Sequence, residues 1–146
     1  MTTRTSLFVD LVRVETRLYN LVDARLRREH GVTLGQVQTM QGIDRRRTCR
    51  VQDLAEEVDI TVGAMSKAVD RIEAAGWCRR SANPDDRRSS LLSLTDAGRR
   101  VLAAAVPTFD DEVARQLSAV PDRALDGVAT TLAALRRTLE QRPGTS

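Results

Sequence analysis

The stretch that decides the fold is VQDLAEEVDITVGAMSKAVDRIEAAGWCRRSANPDDRRSSLLSLTDAG, residues 51–98. Its first part, 52–58, has the apolar spacing of a short amphipathic helix. After a two-residue turn, Thr61 is a good N-cap for a second helix over 62–75, and Gly76 is placed to end that helix in a left-handed conformation. Two short helices joined by a tight turn predict a helix-turn-helix unit.

A basic hairpin is predicted directly after the second helix. Strand-like stretches at 77–81 and 89–94 flank the Asn-Pro-Asp sequence of 83–85, which is strong turn chemistry. The tip of this hairpin carries Asp86, Arg87 and Arg88. With the hairpin attached, the unit is a winged helix-turn-helix, whose second helix fits the major groove of DNA and whose tip arginine fits the minor groove. A helix-turn-helix that serves only for packing is the alternative.

Charge is distributed unevenly along the chain. Residues 45–100 hold 12 lysines and arginines against nine acidic residues, whereas the other residues hold 11 of each, so the whole formal charge of +3 lies in the middle segment. Such a segment is typical of a module that binds a polyanion, and a solvated basic face is the alternative. Aromatic residues make up only 3% of the chain, so the core is expected to be aliphatic and helical.

Apolar seams are predicted in helices at both ends of the chain. A long helix over 5–29 and a last helix opened by Pro121 both repeat apolar residues at alternating steps of three and four. The seam residues are Leu7, Leu11, Val14, Leu125, Val128, Leu132, Leu135 and Leu139. A small domain with apolar seams at both chain ends needs a partner to cover them, which predicts a homodimer.

The predicted fold is mainly α with a small β-hairpin wing, a winged helix-turn-helix whose N- and C-terminal helices form a dimerisation region. The regions are an N-terminal dimerisation helix at 1–31, a DNA-binding lobe at 32–100 and C-terminal dimerisation helices at 101–146. A helix is expected over 96–118, and Pro107 inside it is expected to kink the helix or to split it in two.

Four motifs carry a specific resemblance to a known family: VQDLAEEV at 51–58, MSKAVDRIEAAGW at 65–77, NPDDRRS at 83–89 and LTDAG at 94–98. In these motifs the chain resembles the MarR family of bacterial regulators, and the dense match covers about residues 32–102. The resemblance implies a triangular homodimer in which the N- and C-terminal helices interlock. Its two wings would straddle a pseudo-palindromic site on double-stranded DNA.

The resemblance also assigns DNA-facing positions on the second, recognition helix: Val62, Gly63, Ser66 and Lys67. Many family members carry polar or basic residues where this chain has Val-Gly-Ala at 62–64. Base reading is therefore expected to rely on Ser66, Lys67 and apolar contact with thymine methyl groups. Reading of DNA shape by the wing would then carry more of the specificity.

In the wing, Asp86 and Arg88 match the family's signature of an aspartate and an arginine two residues apart. By resemblance, the carboxylate orients the guanidinium while Arg87 probes the minor groove. Further arginines are predicted to position the protein on phosphates, with a solvated surface arginine as the equal alternative for each: Arg45, Arg46, Arg47, Arg50, Arg79 and Arg80.

The function implied by the resemblance is a transcriptional regulator, usually a repressor, that a small molecule relieves by binding in the crevice between DNA-binding lobe and dimer core. Aromatic or phenolic acids are common ligands of the family. One alternative is a protein-interaction module that kept the fold and lost DNA binding. Another is a nucleoid-type DNA binder of broad specificity, which the apolar recognition helix does not exclude.

Four single residues invite other interpretations. Cys49 and Cys78 each precede an arginine, which suggests a redox sensor because positive charge favours the thiolate. Neither matches the cysteine position of the family's oxidant-sensing branch, so an inert buried cysteine is the favoured interpretation. His30, the single histidine, is interpreted as a helix-end residue, and Trp77 as a packing anchor between the recognition helix and the wing.

Catalysis is not predicted. A single histidine cannot supply the usual nucleophilic arrangements, and the acidic pair at 85–86 lies on a loop that would shelter general-acid chemistry poorly. We expect no catalytic residue, no metal site and no cofactor. No apolar run approaches the roughly 18 residues that a membrane span needs, and a signal pattern is missing, so a cytoplasmic protein without a membrane partner is expected.

Overall fold

The computed structural model describes residues 3–141, so the ends of the predicted terminal regions, 1–2 and 142–146, lie outside it. The described part is mainly helical, with one two-stranded antiparallel sheet, and the predicted fold class is confirmed. Its elements are α1 (Arg4–His30), α2 (Leu34–Asp44), α3 (Val51–Val58), α4 (Val62–Ala74), β1 (Cys78–Ala82), β2 (Ser90–Leu94), α5 (Asp96–Leu117) and α6 (Asp122–Glu140). Two compact units divide the chain, one up to Val113 and one from Ala114 onward.

The helix-turn-helix is shaped by local capping at each helix end. α3 ends at Asp59, whose φ of 55° is left-handed, a conformation that aspartate tolerates better than most residues. The side chain of Thr61 then accepts a hydrogen bond from the backbone of Ala64 at 3.1 Å and begins α4. Gly76, with φ of 78°, ends the turn that follows α4. The predicted cap at Thr61 and the left-handed Gly76 are both confirmed.

The hairpin is closed at its base by bonds to the helices on either side. β1 and β2 pair in a register that runs from Cys78 opposite Leu94 to Ala82 opposite Ser90. After β2, Thr95 donates its hydroxyl hydrogen to the carbonyl of Gly76 at 2.6 Å. The same hydroxyl oxygen accepts from the backbone of Gly98 and so caps α5. The Thr95 hydroxyl therefore links the chain segment before the hairpin, at Gly76, to the start of α5 after it.

The core of the first unit is aliphatic, as the composition predicts. Leucine, valine, isoleucine and methionine side chains from six elements fill it, and the largest of them are fully buried. Representative members are Val22 and Leu26 of α1, Val37 and Met40 of α2, Val69 and Ile72 of α4, Leu92 and Leu94 of β2, and Leu102 of α5. Trp77 packs against this core at the junction of α4 and β1, which agrees with its interpretation as an anchor.

Pro107 does not divide α5, which runs from Asp96 to Leu117 as one helix. Of the two outcomes expected there, a kink or a split, the split is therefore wrong. A proline removes one backbone hydrogen bond, and contacts on both sides of Pro107 hold this helix in place. Before it, Leu102 and Ala105 are buried in the core; after it, Glu112 is buried and pairs with Arg25 of α1 at 3.1 Å.

Pro121 is the N-cap of α6 rather than a residue of its first turn, so the helix begins one residue later than predicted. α6 has no buried residue within the unit that contains it. Its apolar residues at 128, 132, 135 and 139 are all exposed, between 41 and 62%.

Candidate nucleic-acid interface

The recognition helix α4 is packed against the core on one side and exposed on the other. Met65, Val69 and Ile72 anchor it in the core. On the outer side, Val62 is 52% exposed, and a Cβ added at Gly63 would meet no atom within 4 Å. Of the predicted DNA-facing residues, Val62, Gly63 and Lys67 are exposed and Ser66 is half-buried. The first two turns of α4 can therefore approach a large partner without rearrangement.

The wing tip, residues 83–89, is ordered by two short-range acceptors. Asn83 is buried; its Oδ1 accepts from the backbone of Asp85 at 3.0 Å, and its Nδ2 donates to the Ser89 hydroxyl at 2.9 Å. Asp86 Oδ1 accepts from the backbone N–H of Arg88 at 2.9 Å. The aspartate of the signature thus fixes the backbone at Arg88, whereas the resemblance implied that it orients the guanidinium.

Arg87 and Arg88 project from this braced tip. Both are exposed, and within residues 3–141 neither forms an ion pair. No hydrogen bond among the described residues occupies their guanidinium groups, so the donors are available to an external acceptor. A fork of donors on an ordered loop suits a phosphate or a base edge in a narrow groove.

The six arginines predicted to position phosphates divide into two groups. Within the described residues, Arg47 and Arg79 form no ion pair, although Arg79 donates to the Ser93 hydroxyl at 3.3 Å. The other four bind carboxylates of their own lobe: Arg45 and Arg46 bind Glu57, Arg50 binds Asp53, and Arg80 binds Asp70 and Glu73. Arg46 lowers the pKa of Glu57, and Arg50 lowers that of Asp53, both by hydrogen bonding, so these carboxylates stay charged at neutral pH.

An open depression of about 810 Å³ brings part of the predicted set together. Its walls come from the loop before α3, the start of α3 and the wing tip. The residues around it include Arg46, Arg47, Arg50, Asn83 and Asp86. The loop arginines and the wing tip therefore share one surface, whereas Arg79 does not line it.

Both cysteines are buried, and burial raises the pKa of each thiol to about 11. At neutral pH the thiols are protonated and poorly nucleophilic, which agrees with the interpretation as inert cysteines. His30 lies at the end of α1, where its Nε2 is 2.7 Å from the Thr108 hydroxyl oxygen. Among residues 3–141, no group of three or more His, Cys, Asp or Glu side chains is arranged to hold a metal ion.

No helix in the described part of the chain has both the length and the apolar character needed to cross a membrane.

A cavity of about 430 Å³ lies between α1, α2, α3 and α4, and sequence reasoning, which expected a crevice between lobe and dimer core, named none of the residues as its lining. Its wall is mostly apolar, with Leu54, Met65 and Ile72 among the lining residues, while Tyr19 and Arg71 bring polar groups to it. The lining residues lie far apart in the sequence, so no local pattern could have indicated them.

Comparison with known proteins agrees with this geometry. Residues 32–90 match the profile of the MarR family. In structure, the chain is similar to Sco3205, a MarR family transcriptional regulator from Streptomyces coelicolor crystallised in complex with DNA. The two are 26% identical, with a TM-score of 0.82 over 99% of this chain and 96% of that chain.

Curated relatives give the same result at lower coverage. The chain is 24% identical over 109 residues to the HTH-type transcriptional regulator YfiV of Bacillus subtilis, over 75% of this chain and 68% of YfiV. It is 26% identical over 87 residues to the multiple antibiotic resistance protein MarR of Escherichia coli, over 60% of this chain and 59% of that protein. Alignments to several curated relatives span less than two thirds of their length. The family profile, the relatives and the solved structures agree: residues 32–90 match the MarR family, and the described chain has the fold of its winged helix-turn-helix transcriptional regulators.

Proposed function

We propose that the protein is a homodimeric repressor that binds a pseudo-palindromic site on double-stranded DNA and is released by a small molecule. The observation that carries the proposal is that two arginines, Arg87 and Arg88, form no ion pair within residues 3–141 and lie on an ordered wing tip beside an exposed recognition helix. Sco3205, a regulator with the same fold, was crystallised in complex with DNA, which supports DNA binding by this chain.

In this proposal α4 lies in the major groove and the wing tip reaches the adjacent minor groove. Lys67 and Ser66 supply the polar contacts of α4, and the exposed Val62 meets thymine methyl groups. Arg87 enters the minor groove, where the negative potential is concentrated. Arg47 and Arg79, which are free of ion pairs within residues 3–141, contact phosphates.

A second copy of the chain covers the apolar seams of the terminal helices, which we assign to 1–31 and 101–146. In α1, Leu7, Leu11 and Val14 are exposed by 42 to 56%. In α6, Leu125 is half-buried and the other four seam residues, at 128, 132, 135 and 139, are exposed by 41 to 62%. An amphipathic helix in water is stabilised mainly by packing of its apolar face, so these seams need a partner. A copy of the same chain supplies equal seams, and it also supplies the second wing that a two-fold site requires.

The ligand site in this proposal is the cavity between α1 and α2–α4. Its volume of about 430 Å³ lies in the range of small-molecule sites. A ligand there would touch α1 through Tyr19 and the recognition helix through Met65 and Arg71. Arg71 forms no ion pair within the described residues and offers its charge to a small aromatic acid. A ligand that favours a different spacing of the two α4 helices must lose affinity for the DNA-bound form by the same factor that DNA loses.

The experiment that tests the function begins with selection of a duplex by the protein from randomised DNA. Replacing both tip arginines, Arg87→Ala with Arg88→Ala, should greatly weaken binding to that duplex while the dimer persists. The matched control is Arg99→Ala with Arg100→Ala, which removes the same charge from an exposed pair on α5. Equal effects of the two double variants, or undiminished binding at physiological salt, would contradict the assignment of the wing.

The same selection separates the alternatives. A protein-interaction module selects no duplex, and its binding is insensitive to salt. A nucleoid-type binder shows little preference over unrelated DNA, whereas a specific regulator prefers its site by roughly 10³ or more.

A further inference from the structure

Arg80 of β1 is tied to the recognition helix by three contacts. Its Nη2 donates to Asp70 Oδ1 at 2.7 Å and lies 3.5 Å from the backbone carbonyl of Ser66. Its Nη1 donates to Glu73 Oε2. The Arg80 side chain is only 23% exposed, in contrast to the exposed arginines of the wing tip. Both ends of its guanidinium are therefore occupied by acceptors of the same helix.

The acceptors form one ridge of α4. Asp70 and Glu73 are three residues apart, so their side chains lie on the same side of the helix and face the hairpin, while Ser66, one turn earlier, contributes its backbone carbonyl. A planar guanidinium can give one terminal nitrogen to each carboxylate in a fixed fork, and a lysine ammonium cannot reproduce that geometry. The contact thus fixes direction as well as distance between β1 and α4.

The position of Arg80 in the hairpin makes this contact consequential. Arg80 is the middle residue of β1 and lies opposite the buried Leu92 of β2. Only Ser81 and Ala82 separate it from the wing tip. A rotation of the hairpin against α4 must first break the pairs of Arg80, because the hairpin itself is held by its backbone ladder.

We propose that Arg80 is a positioning residue that holds the wing at a fixed angle to the recognition helix, so that both reach their grooves at once. The proposal rests on the proposed DNA-binding function and gives Arg80 a role other than phosphate contact. The clamp, defined as Arg80, Asp70 and Glu73, acts on DNA only through the wing tip.

The direction of the change in DNA affinity distinguishes a positioning role of the clamp from a purely electrostatic one. Asp70→Asn with Glu73→Gln removes two negative charges from the DNA-facing lobe of each protomer. On charge alone this variant binds every duplex more tightly, because repulsion of phosphates is reduced. If the clamp positions the wing, the variant binds random duplex more tightly but the selected duplex more weakly. Opposite changes on two DNAs do not arise from charge alone.

The experiment compares four full-length proteins on the duplex that the wild type selects from randomised DNA and on a random duplex. They are the wild type, Arg80→Gln, the double variant Asp70→Asn with Glu73→Gln, and Arg79→Gln. The last is the matched control, because Arg79 is the neighbouring exposed arginine of the same strand. Affinity is measured across a salt series, the minor groove is mapped by hydroxyl-radical footprinting, and thermal melting checks that each variant is folded.

We expect Arg80→Gln to bind the selected duplex about tenfold or more weakly, the scale of one hydrogen bond to a charged group. Its salt slope should stay at the wild-type value, and protection by the wing tips should disappear while protection in the major groove remains. The double variant should show the same absence of minor-groove protection. Arg79→Gln should keep the footprint and lower the slope by about 0.9 for each phosphate that Arg79 neutralises in the wild type.

The inference is overturned if Arg80→Gln lowers the salt slope as Arg79→Gln does, or if the double variant binds the selected duplex more tightly. The inference is also overturned if both clamp variants keep the minor-groove protection by the wing tips. If the wild type selects no duplex, the proposed function itself fails, and that result is distinct from any difference among the variants.

Discussion

For Gly98→Ala, helix propensity predicts an increase in the free energy of unfolding, whereas packing predicts a decrease. Gly98 lies in the first turn of α5, where alanine is ordinarily preferred over glycine by about 1 kcal/mol. An added Cβ at this position would lie 1.9 Å from the carbonyl oxygen of Trp77 and 2.8 Å from its carbonyl carbon. The obstacle is backbone at the base of the wing, so no rotamer change relieves the clash.

The structure sets the size of the effect. Trp77 must move, and its carbonyl oxygen accepts the backbone hydrogen of Thr95 at 3.0 Å, so that hydrogen bond is strained with it. Overpacking costs about 1–3 kcal/mol. Loss of a partly buried hydrogen bond costs about 1–3 kcal/mol more. Against the gain in helix propensity, we expect the free energy of unfolding to fall by roughly 3 kcal/mol.

The assay is equilibrium urea unfolding at one fixed protein concentration, because the stability of a dimer depends on concentration. Gly63→Ala is the matched control, since its Cβ would meet no atom within 4 Å and α4 should gain up to about 1 kcal/mol. The reasoning is refuted if Gly98→Ala is as stable as the wild type, or if the two variants shift stability in the same direction.

Three further predictions concern the dimer, the thiols and base reading. Leu132→Asp puts a charge into the exposed seam of α6 and should give monomers or unfolded protein in sedimentation velocity; a well-folded dimer contradicts the seam. Because burial raises the pKa of the Cys49 and Cys78 thiols from 9.0 to about 11, their contribution to stability is complete below about pH 9 and is lost as pH rises through about 11. The free energy of unfolding should fall less over that range in the double alanine variant, and an identical fall speaks against the effect. Replacing thymine by uracil in the selected duplex should weaken binding about fourfold per contacted methyl, at about 0.8 kcal/mol each. Val62→Ala should abolish that difference, and equal affinity of the wild type for both duplexes rules out methyl reading.

The fold was predictable where local chemistry decides the backbone. Caps and turns act on residues within a few positions of themselves, so they can be predicted from the sequence. Examples are Thr61, Gly76 and the Asn-Pro-Asp turn. The split that was one of the two outcomes expected at Pro107 did not occur, because tertiary contacts on both sides of the proline hold the helix together. Tertiary packing commonly overrides such a propensity.

The site was predictable by residue and less so by role. The exposure of Arg87, Arg88 and Lys67 follows from a charged residue in a turn or on a polar helix face. The acceptors that Arg80 binds could not be predicted from the sequence. The two carboxylates are 7 and 10 residues away on another element, and their position depends on the packing of β1 against α4. The carboxylate of Asp86 serves the backbone of its own turn, a distinction that spacing alone cannot make.

The backbone N–H of Leu92 donates to the carbonyl of Cys49 at 2.7 Å, which gives β2 a neighbour on the side away from β1. A two-stranded hairpin is marginally stable in water, and a bare strand edge invites pairing with other chains. This bond occupies the backbone N–H of Leu92 at the centre of that edge, so the loop before α3 covers part of the edge of the two-stranded sheet. In hydrogen–deuterium exchange, the amide of Leu92 should therefore exchange as slowly as the amides of the core, whereas the amide of Arg87, which has no acceptor within residues 3–141, should exchange quickly. The base of the hairpin is therefore expected to stay attached to the lobe through the bond between Leu92 and Cys49.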